Sequence, residues 1–184
     1  MNSRAPLMKR VICPEGVDAR MWEGVSPDPI PQKETSLYVV GFMFDKDMTN
    51  VALIRKRKPA WQAGLLNGIG GSIESGEIPV DAMRREFKEE AGVDVPVSDW
   101  RHFLSMSGIN NDGSAFNVEF FYCFGVLWRI ESKTKELIEL HESRRIAFGD
   151  GGTVGNVPWA VALALDCGLG VYPPAKVTAV YSPN

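Results

Sequence analysis

The chain is poor in several of the residues and patterns on which whole classes of function depend. Its 184 residues include three cysteines, Cys13, Cys123 and Cys167. They are far apart, odd in number and without C-x-x-C spacing, which argues against a disulfide framework or a zinc knuckle and leaves reduced, mostly buried thiols as the expectation. Positive charge is not in excess: 20 basic side chains against 23 acidic ones give a net charge of −3. No broad positive field is available to draw nucleic acid onto the surface, so a phosphate-bearing partner must be held locally or through metal. No stretch approaches the roughly 18 apolar residues of a membrane span, and the opening MNSRAPLMKRVICPEG has no continuous apolar core of a leader peptide. A cytoplasmic protein without a membrane partner is implied. There is no internal repeat, and oligomeric state is open, with a homodimer among the options.

The length and the 45% hydrophobic, 23% charged composition suit one globular domain with a short extension. Residues 1–34 are rich in proline and charge, and Pro27, Pro29 and Pro31 forbid a helix there. An irregular arm is expected, with Trp22 as its candidate anchor, followed by a domain over 35–184. SLYVVGFMF and VALIRK, separated by DKDMTN, predict a hairpin. GLLNGIGG predicts a third short strand, WRHFLSMS and AFNVEFFYCFGVLW two more, and LIELH another. VPWAVALALDCG predicts a late helix and KVTAVY a final strand. Strands interrupted by one mid-chain and one late helix point to an α+β class: a mixed sheet between helices.

The mid-chain helix lies in GGSIESGEIPVDAMRREFKEEAGV, residues 70–93. Pro79 suits a first helical turn and Gly92 a stop. At 3.6 residues per turn Glu86, Glu89 and Glu90 share a face, while Val80, Met83, Phe87 and Ala91 form an apolar stripe beside it. Like charges on adjacent turns repel by a few tenths of a kcal/mol per pair. A hard divalent cation resolves that conflict, since Mg²⁺ and Mn²⁺ take oxygen ligands. A merely solvated acidic face is the competing interpretation of the three glutamates taken alone.

The wider spacing decides between them. Gly71, Glu77, Arg85-Glu86-Phe87, Glu89-Glu90 and Gly92-Val93 stand at the intervals of G-x5-E-x7-R-E-U-x-E-E-x-G-U, with U an apolar residue. This resembles the Nudix box at every position, and the strand pattern extends the resemblance loosely from Ser36 to Tyr181. The resemblance implies a Nudix (MutT-like) hydrolase that cleaves a nucleoside diphosphate linked to another group, X. It implies that Glu86, Glu89 and Glu90, with a backbone carbonyl at Gly70 or Gly71, hold Mg²⁺, for which Mn²⁺ can substitute. Glu77 then supports the metal shell, and Arg85 orients a box glutamate and so serves catalysis through position. The family's general base is a box glutamate or an acid from a later loop. Glu89 and Glu90 are the first candidates here, and Glu136 and Glu119 the distal ones, each of which reads first as a solvated strand-edge acid.

Substrate choice lies outside the box. MSGINND lacks the proline of ADP-ribose hydrolases and the tyrosine of dinucleoside polyphosphate hydrolases, and no SQPWPFP-like or LLTKR-like segment occurs. WQAGLLNGIGG resembles the strand before the box in MutT-like triphosphatases that remove oxidised purines, which assigns Asn67 to the base. A turn asparagine beside Gly68 is the alternative. Arg55 and Lys56, within RKRK, are candidates for phosphate contact. Strand alternation allows only Arg55 with Arg57, or Lys56 with Lys58, to face the site. Phe44, Trp61 and Trp159 stack on a base or pack in the core, with Trp159 the preferred stacking candidate. His102 and His141 are expected to be surface or satisfied side chains. A nucleotide substrate follows, with a triphosphate first, ADP-ribose or a nucleotide sugar second, and a non-catalytic nucleotide-sensing module as the rival of another class.

Overall fold

A computed structural model describes residues 35–110, 113–170 and 175–178. The expected arm over 1–34, with Trp22 and Cys13, lies outside the described residues. Strand β1 (Ser36–Phe44) and strand β2 (Asn50–Arg55) form the expected hairpin, with Met43 opposite Ala52 and Phe44 opposite Val51. The turn is closed by Asp45, whose Oδ1 accepts the Thr49 N–H at 2.7 Å while its carboxylate also takes the Asn50 N–H. An Asx-type side-chain acceptor of this kind supplies the partners that a short loop lacks.

Beyond these two pairs β1 and β2 diverge, and the following chain enters the gap. Strand β3 (Leu66–Asn67) pairs with Arg55 and Ile54 of β2, and Ile69 and Ser72 then bridge to Gly41 and Tyr38 of β1. Strand β4 (Arg101–Ile109) and strand β5 (Ala115–Phe124) pair antiparallel, and β5 runs parallel to β1 along its whole length. Strand β6 (Leu137–Glu142) covers the outer edge of β2, and strand β7 (Ala175–Thr178) lies parallel to β4. The result is a mixed seven-stranded sheet ordered β3-β2-β1-β5-β4-β7, with β6 joined to β2.

Both faces of this sheet are covered, which is why its central strands read as almost unbroken apolar runs. Helix α1 (Pro79–Ala91) packs Ala82, Met83, Phe87 and Ala91, all fully buried, against Val39, Met43, Ile54, Ile69 and Phe121. Gly41 lets the helix approach, because a Cβ there would lie 2.7 Å from the Met83 sulfur. The helix starts at Pro79 and ends on Gly92 in the left-handed conformation, φ 70°, as the sequence predicts. Helix α2 (Ser143–Ala147), which the sequence analysis does not anticipate, and helix α3 (Val157–Gly168) cover the other face. There Val157, Ala160, Val161 and Ala164 meet Phe42, Phe44, Leu53, Phe103 and Phe120. Phe44 is therefore core, and so is Cys123, whereas Trp61 stands 69% exposed on a short 3-10 turn and packs in no core. Among the described residues no helix is long and apolar enough to cross a membrane.

Phe87 is the anchor of α1, fully buried and edge-on to the Trp100 ring at 5.2 Å between centroids. Phe87→Ala is expected to cost about 3–5 kcal/mol, the usual loss for an emptied aromatic site. Urea unfolding measures it, and a loss below about 1 kcal/mol would show that α1 is held by something else.

Candidate active site

The inserted segment after β3 carries Gly70 and Gly71 to the acidic face of α1. A Cβ on Gly70 would lie 2.1 Å from the Val39 carbonyl oxygen, and one on Gly71 would lie 2.5 Å from Glu86 Oε2. At Gly70 only a glycine fits, since the neighbour is backbone, and at Gly71 the missing side chain leaves the Glu86 carboxylate in place. The Gly70 N–H donates to Glu90 Oε2 at 3.2 Å. Two of the three box acids thus sit against the glycine pair.

Arg85 locks the loop to the helix. Its Nε and Nη2 donate to the two Glu77 carboxylate oxygens at 2.9 and 2.8 Å, its Nη1 to Glu86 Oε1 at 2.8 Å, and its Nη2 also to the Ser72 carbonyl at 2.9 Å. A bidentate arginine of this kind fixes geometry as well as charge. The Glu77 hydrogen bonds hold the guanidinium firmly protonated, and Arg85 in turn lowers the Glu77 carboxyl below its ordinary range. With every nitrogen engaged, Arg85 acts by positioning and does not reach for substrate.

Glu90 is the perturbed group. Burial pushes its carboxyl up to about 7, with Glu86 and Glu136 adding to the rise and Lys56 and the Gly70 N–H opposing it. Lys56 lies between acids, its Nζ bonded to Glu136. Glu136 also accepts the backbone N–H of Arg57 and, at 3.3 Å, that of Lys58. Burial alone would raise the Glu136 carboxyl, but these donors outweigh it and set it below the ordinary value. An open cleft of about 460 Å³ runs beside this group, lined by Arg57, Lys58, Glu90, Thr134, Lys135 and Glu136. Glu89 is the freest of the box acids, with its side chain 60% exposed and one oxygen 3.6 Å from Arg85 Nη1. Among the described residues no three metal-binding side chains converge as a preformed cluster. The donor chemistry nevertheless fits a hard divalent ion: hard carboxylate oxygens, one of them desolvated beside like charge, next to a cradle that a Cβ would fill.

Other sequence candidates lie elsewhere. Pleat alternation puts Arg55 on the α2/α3 face with Leu53 and Leu66, away from the acids; its guanidinium grips Glu139 through two bonds, one of 2.7 Å, and donates to the Gly64 carbonyl. Glu119 is tied to Ser105 and to His102 Nε2, the latter at 2.6 Å, between β4 and β5. Asn67 accepts the Gly68 N–H at 2.8 Å, the turn interaction, and lies on the α1 side by its pairing with Ile54. Trp159 packs on the opposite face of the sheet, so the two base-contact candidates do not converge. His141 meets Glu139 at 3.2 Å. Glu139, Thr134 and Lys135 were not singled out from sequence. Alternation along LIELHE could have paired Glu139 with Arg55, but nothing local signals the other two. The rule that Arg57 and Lys58 must face apart fails because β2 ends at Arg55 and both line the cleft.

The state of Glu90 yields a prediction for the metal-free protein. An unfolded Glu titrates near 4.5 and the folded one near 7. Folding therefore favours the protonated form, and its contribution is full below pH about 4.5 and lost as pH rises through 7, by up to on the order of 3 kcal/mol. Urea unfolding in EDTA from pH 5 to 8 should show this slope in the wild type and a shallower one in Glu90→Gln. Parallel curves would remove Glu90 as its source.

A family model for the NUDIX domain matches residues 35–148. Among solved structures the chain resembles a mutator MutT protein of Bacillus halodurans, 19% identical over 80% of this chain and 91% of that one, with a TM-score of 0.57. It also resembles a MutT Nudix hydrolase of Burkholderia pseudomallei, 14% identical over 71% and 98%, TM-score 0.59. A third is the Nudix domain of Shewanella oneidensis NrtR in complex with ADP-ribose, 13% identical over 82% and 99%, TM-score 0.62. At such identities the likeness is one of fold. No curated protein matches the chain in sequence. With the family model spanning more than half of its length and the mixed sheet clasped between helices, the chain belongs to the Nudix family of hydrolases.

Proposed function

We propose that this Nudix hydrolase is a divalent-cation-dependent nucleoside triphosphate pyrophosphohydrolase of the cytoplasm, acting on ordinary or oxidised purine nucleotides. Water replaces one bridging bond of the phosphate chain, giving a nucleoside monophosphate, pyrophosphate and a proton. Glu86, Glu89 and Glu90, with a carbonyl of Gly70 or Gly71, would hold Mg²⁺ or Mn²⁺. When bound, such an ion neutralises phosphate charge and makes a water more acidic. Arg85 and Glu77 keep the Glu86 carboxylate and the glycine loop in register with each other. Glu89, open to solvent, and Glu90, beside the cleft, are the acids we assign to accept the proton. Glu136, occupied by Lys56 and two backbone N–H groups, holds the cleft wall.

The observation that carries this reading is the meeting of the Glu86 and Glu90 carboxylates with Gly70–Gly71 at the edge of a cation-lined cleft. A sugar-linked diphosphate such as ADP-ribose is the second reading, supported by the complex of the NrtR Nudix domain with that ligand. Under it the cleft cations would face an uncharged sugar.

The deciding experiment is a rate survey with Mg²⁺ or Mn²⁺ over ordinary and oxidised triphosphates, ADP-ribose, nucleotide sugars and dinucleotides. Triphosphates are expected to give the highest kcat/KM, with monophosphate and pyrophosphate as products and activity lost in EDTA. Release of single phosphates, or no cleavage of any diphosphate linkage, would overturn the reading. Glu89→Gln is expected to lower kcat by about a hundredfold or more while the melting temperature stays within about 2 °C, because the side chain is solvated. Wild-type turnover in that variant would take Glu89 out of the reaction.

A further inference from the structure

Among the described residues three cations near the site lack the acidic partner that their neighbours have. Arg55 is paired with Glu139, Lys56 with Glu136 and Lys133 with Glu131. Arg57, Lys58 and Lys135 are exposed, and among the described residues none of them forms an ion pair. The Arg57 guanidinium donates to the Lys135 carbonyl at 3.4 Å. Yet these three line one cleft together with Glu90 and Glu136, in a chain whose net charge is −3. Their mutual approach is imposed by a built feature. The Glu136 carboxylate takes the N–H groups of Arg57 and Lys58, pulling the turn after β2 against the segment before β6. The Glu136 N–H in turn bonds Thr134 Oγ1 at 3.1 Å, which leaves that hydroxyl free to donate. Among the described residues the two carboxylates of the cleft, Glu90 and Glu136, form no ion pair with these side chains, which leaves their ammonium and guanidinium donors for an external anion such as phosphate.

We propose that Arg57, Lys58 and Lys135, with the Thr134 hydroxyl, form a subsite for phosphates of the substrate that lie beyond the bond being cut, and so select a phosphorylated X over a neutral one. The chemistry is that of a phosphate chain, whether it ends free, as in a nucleoside triphosphate, or in a second nucleoside. The inference rests on the hydrolase reading for its kinetic consequence, though not for binding. Glu136 is a positioning residue here, holding the two halves of the cleft together. Arg55 has no part in it, being on the other face of the sheet.

The test uses the full chain carrying Lys58→Ala and Lys135→Ala together, both at exposed positions. Lys46→Ala, a cation in the turn at the far end of β2, serves as control. With Mg²⁺, KM for a nucleoside triphosphate should rise about tenfold in the double variant while kcat stays within about threefold, the pattern of lost uniform binding. kcat/KM for ADP-ribose should change less than about twofold, since no charge is lost against its sugar. A dinucleoside tetraphosphate shows which source of the chain is preferred: a fall matching that of the triphosphate means an internal chain suffices, and a smaller fall means a free end is required. Calorimetry with inorganic tripolyphosphate supplies a readout that needs no turnover, and its Kd should rise about tenfold in the double variant and not in Lys46→Ala. Equal losses on triphosphate and ADP-ribose, or an unchanged Kd for tripolyphosphate, would overturn the subsite. Absence of any hydrolysis by the wild type, with the tripolyphosphate difference intact, would sink the hydrolase reading and leave the subsite standing.

Discussion

The approach of Gly70–Gly71 to both β1 and α1 is the constraint from which the rest of the site follows. Val39 crowds Gly70 with its carbonyl oxygen, a backbone contact that no side chain could relieve, and a side chain at Gly71 would displace the Glu86 carboxylate. That passage exists because β1 and β2 part after two residue pairs and admit β3 and its continuation. The backbone is held there by sheet-like bonds, Val39 N–H to the Gly71 carbonyl at 2.9 Å and Gly41 N–H to the Ile69 carbonyl at 2.7 Å. A loop fixed by ladder hydrogen bonds is a more accurate platform for a binding group than a free one. Arg85 then completes the enclosure from the helix side, since the loop acid Glu77 and the helix acid Glu86 share one guanidinium.

Much of this is legible in the sequence because it depends on local rules. Pro79 and Gly92 bracket α1 where they should, the spacing of Glu86, Glu89 and Glu90 determines their shared face, and near-continuous apolar runs mark strands covered on both sides. What escapes is set by contacts distant in the chain. Arg55 is a plausible phosphate ligand until β6 supplies Glu139, 84 residues away, and Lys56 a free cation until Glu136 arrives from 80 residues away. The short α2 has no apolar periodicity of its own over five residues; Ile146 is buried only because α3 lies beside it. Trp61 reads as core by composition, but the 3-10 turn that carries it buries none of its residues.

The box acids also show how one motif divides its labour by depth. Glu89 and Glu90 are neighbours in sequence, yet one is mostly solvated while the other is desolvated enough to titrate near neutrality. A helix separates successive residues by about 100°, so adjacent positions face different surroundings. Glu90 turns toward β1 and the glycine N–H, Glu89 toward water and Arg85. The pair therefore sets one carboxylate whose charge burial makes costly beside one that is mostly solvated.

At the end of β2 four cations follow one another. Arg55, the last residue of β2, pairs with Glu139 of β6 on the α2/α3 side, and Lys56, just past the strand, pairs with Glu136, just before β6. This balances the first two cations of the run and exhausts the acids that β6 and its approach bring within reach. Strand alternation does not separate Arg57 from Lys58 beyond the end of β2, and Glu136 spends its second oxygen on their backbone rather than on their side chains. An acid that binds backbone N–H groups fixes where a cation stands without neutralising it. Glu136 thereby holds cations in the cleft that Glu90 also lines, the arrangement a polyanion needs if its charge is to be met by lysine and arginine while its reacting phosphate is held by the box acids.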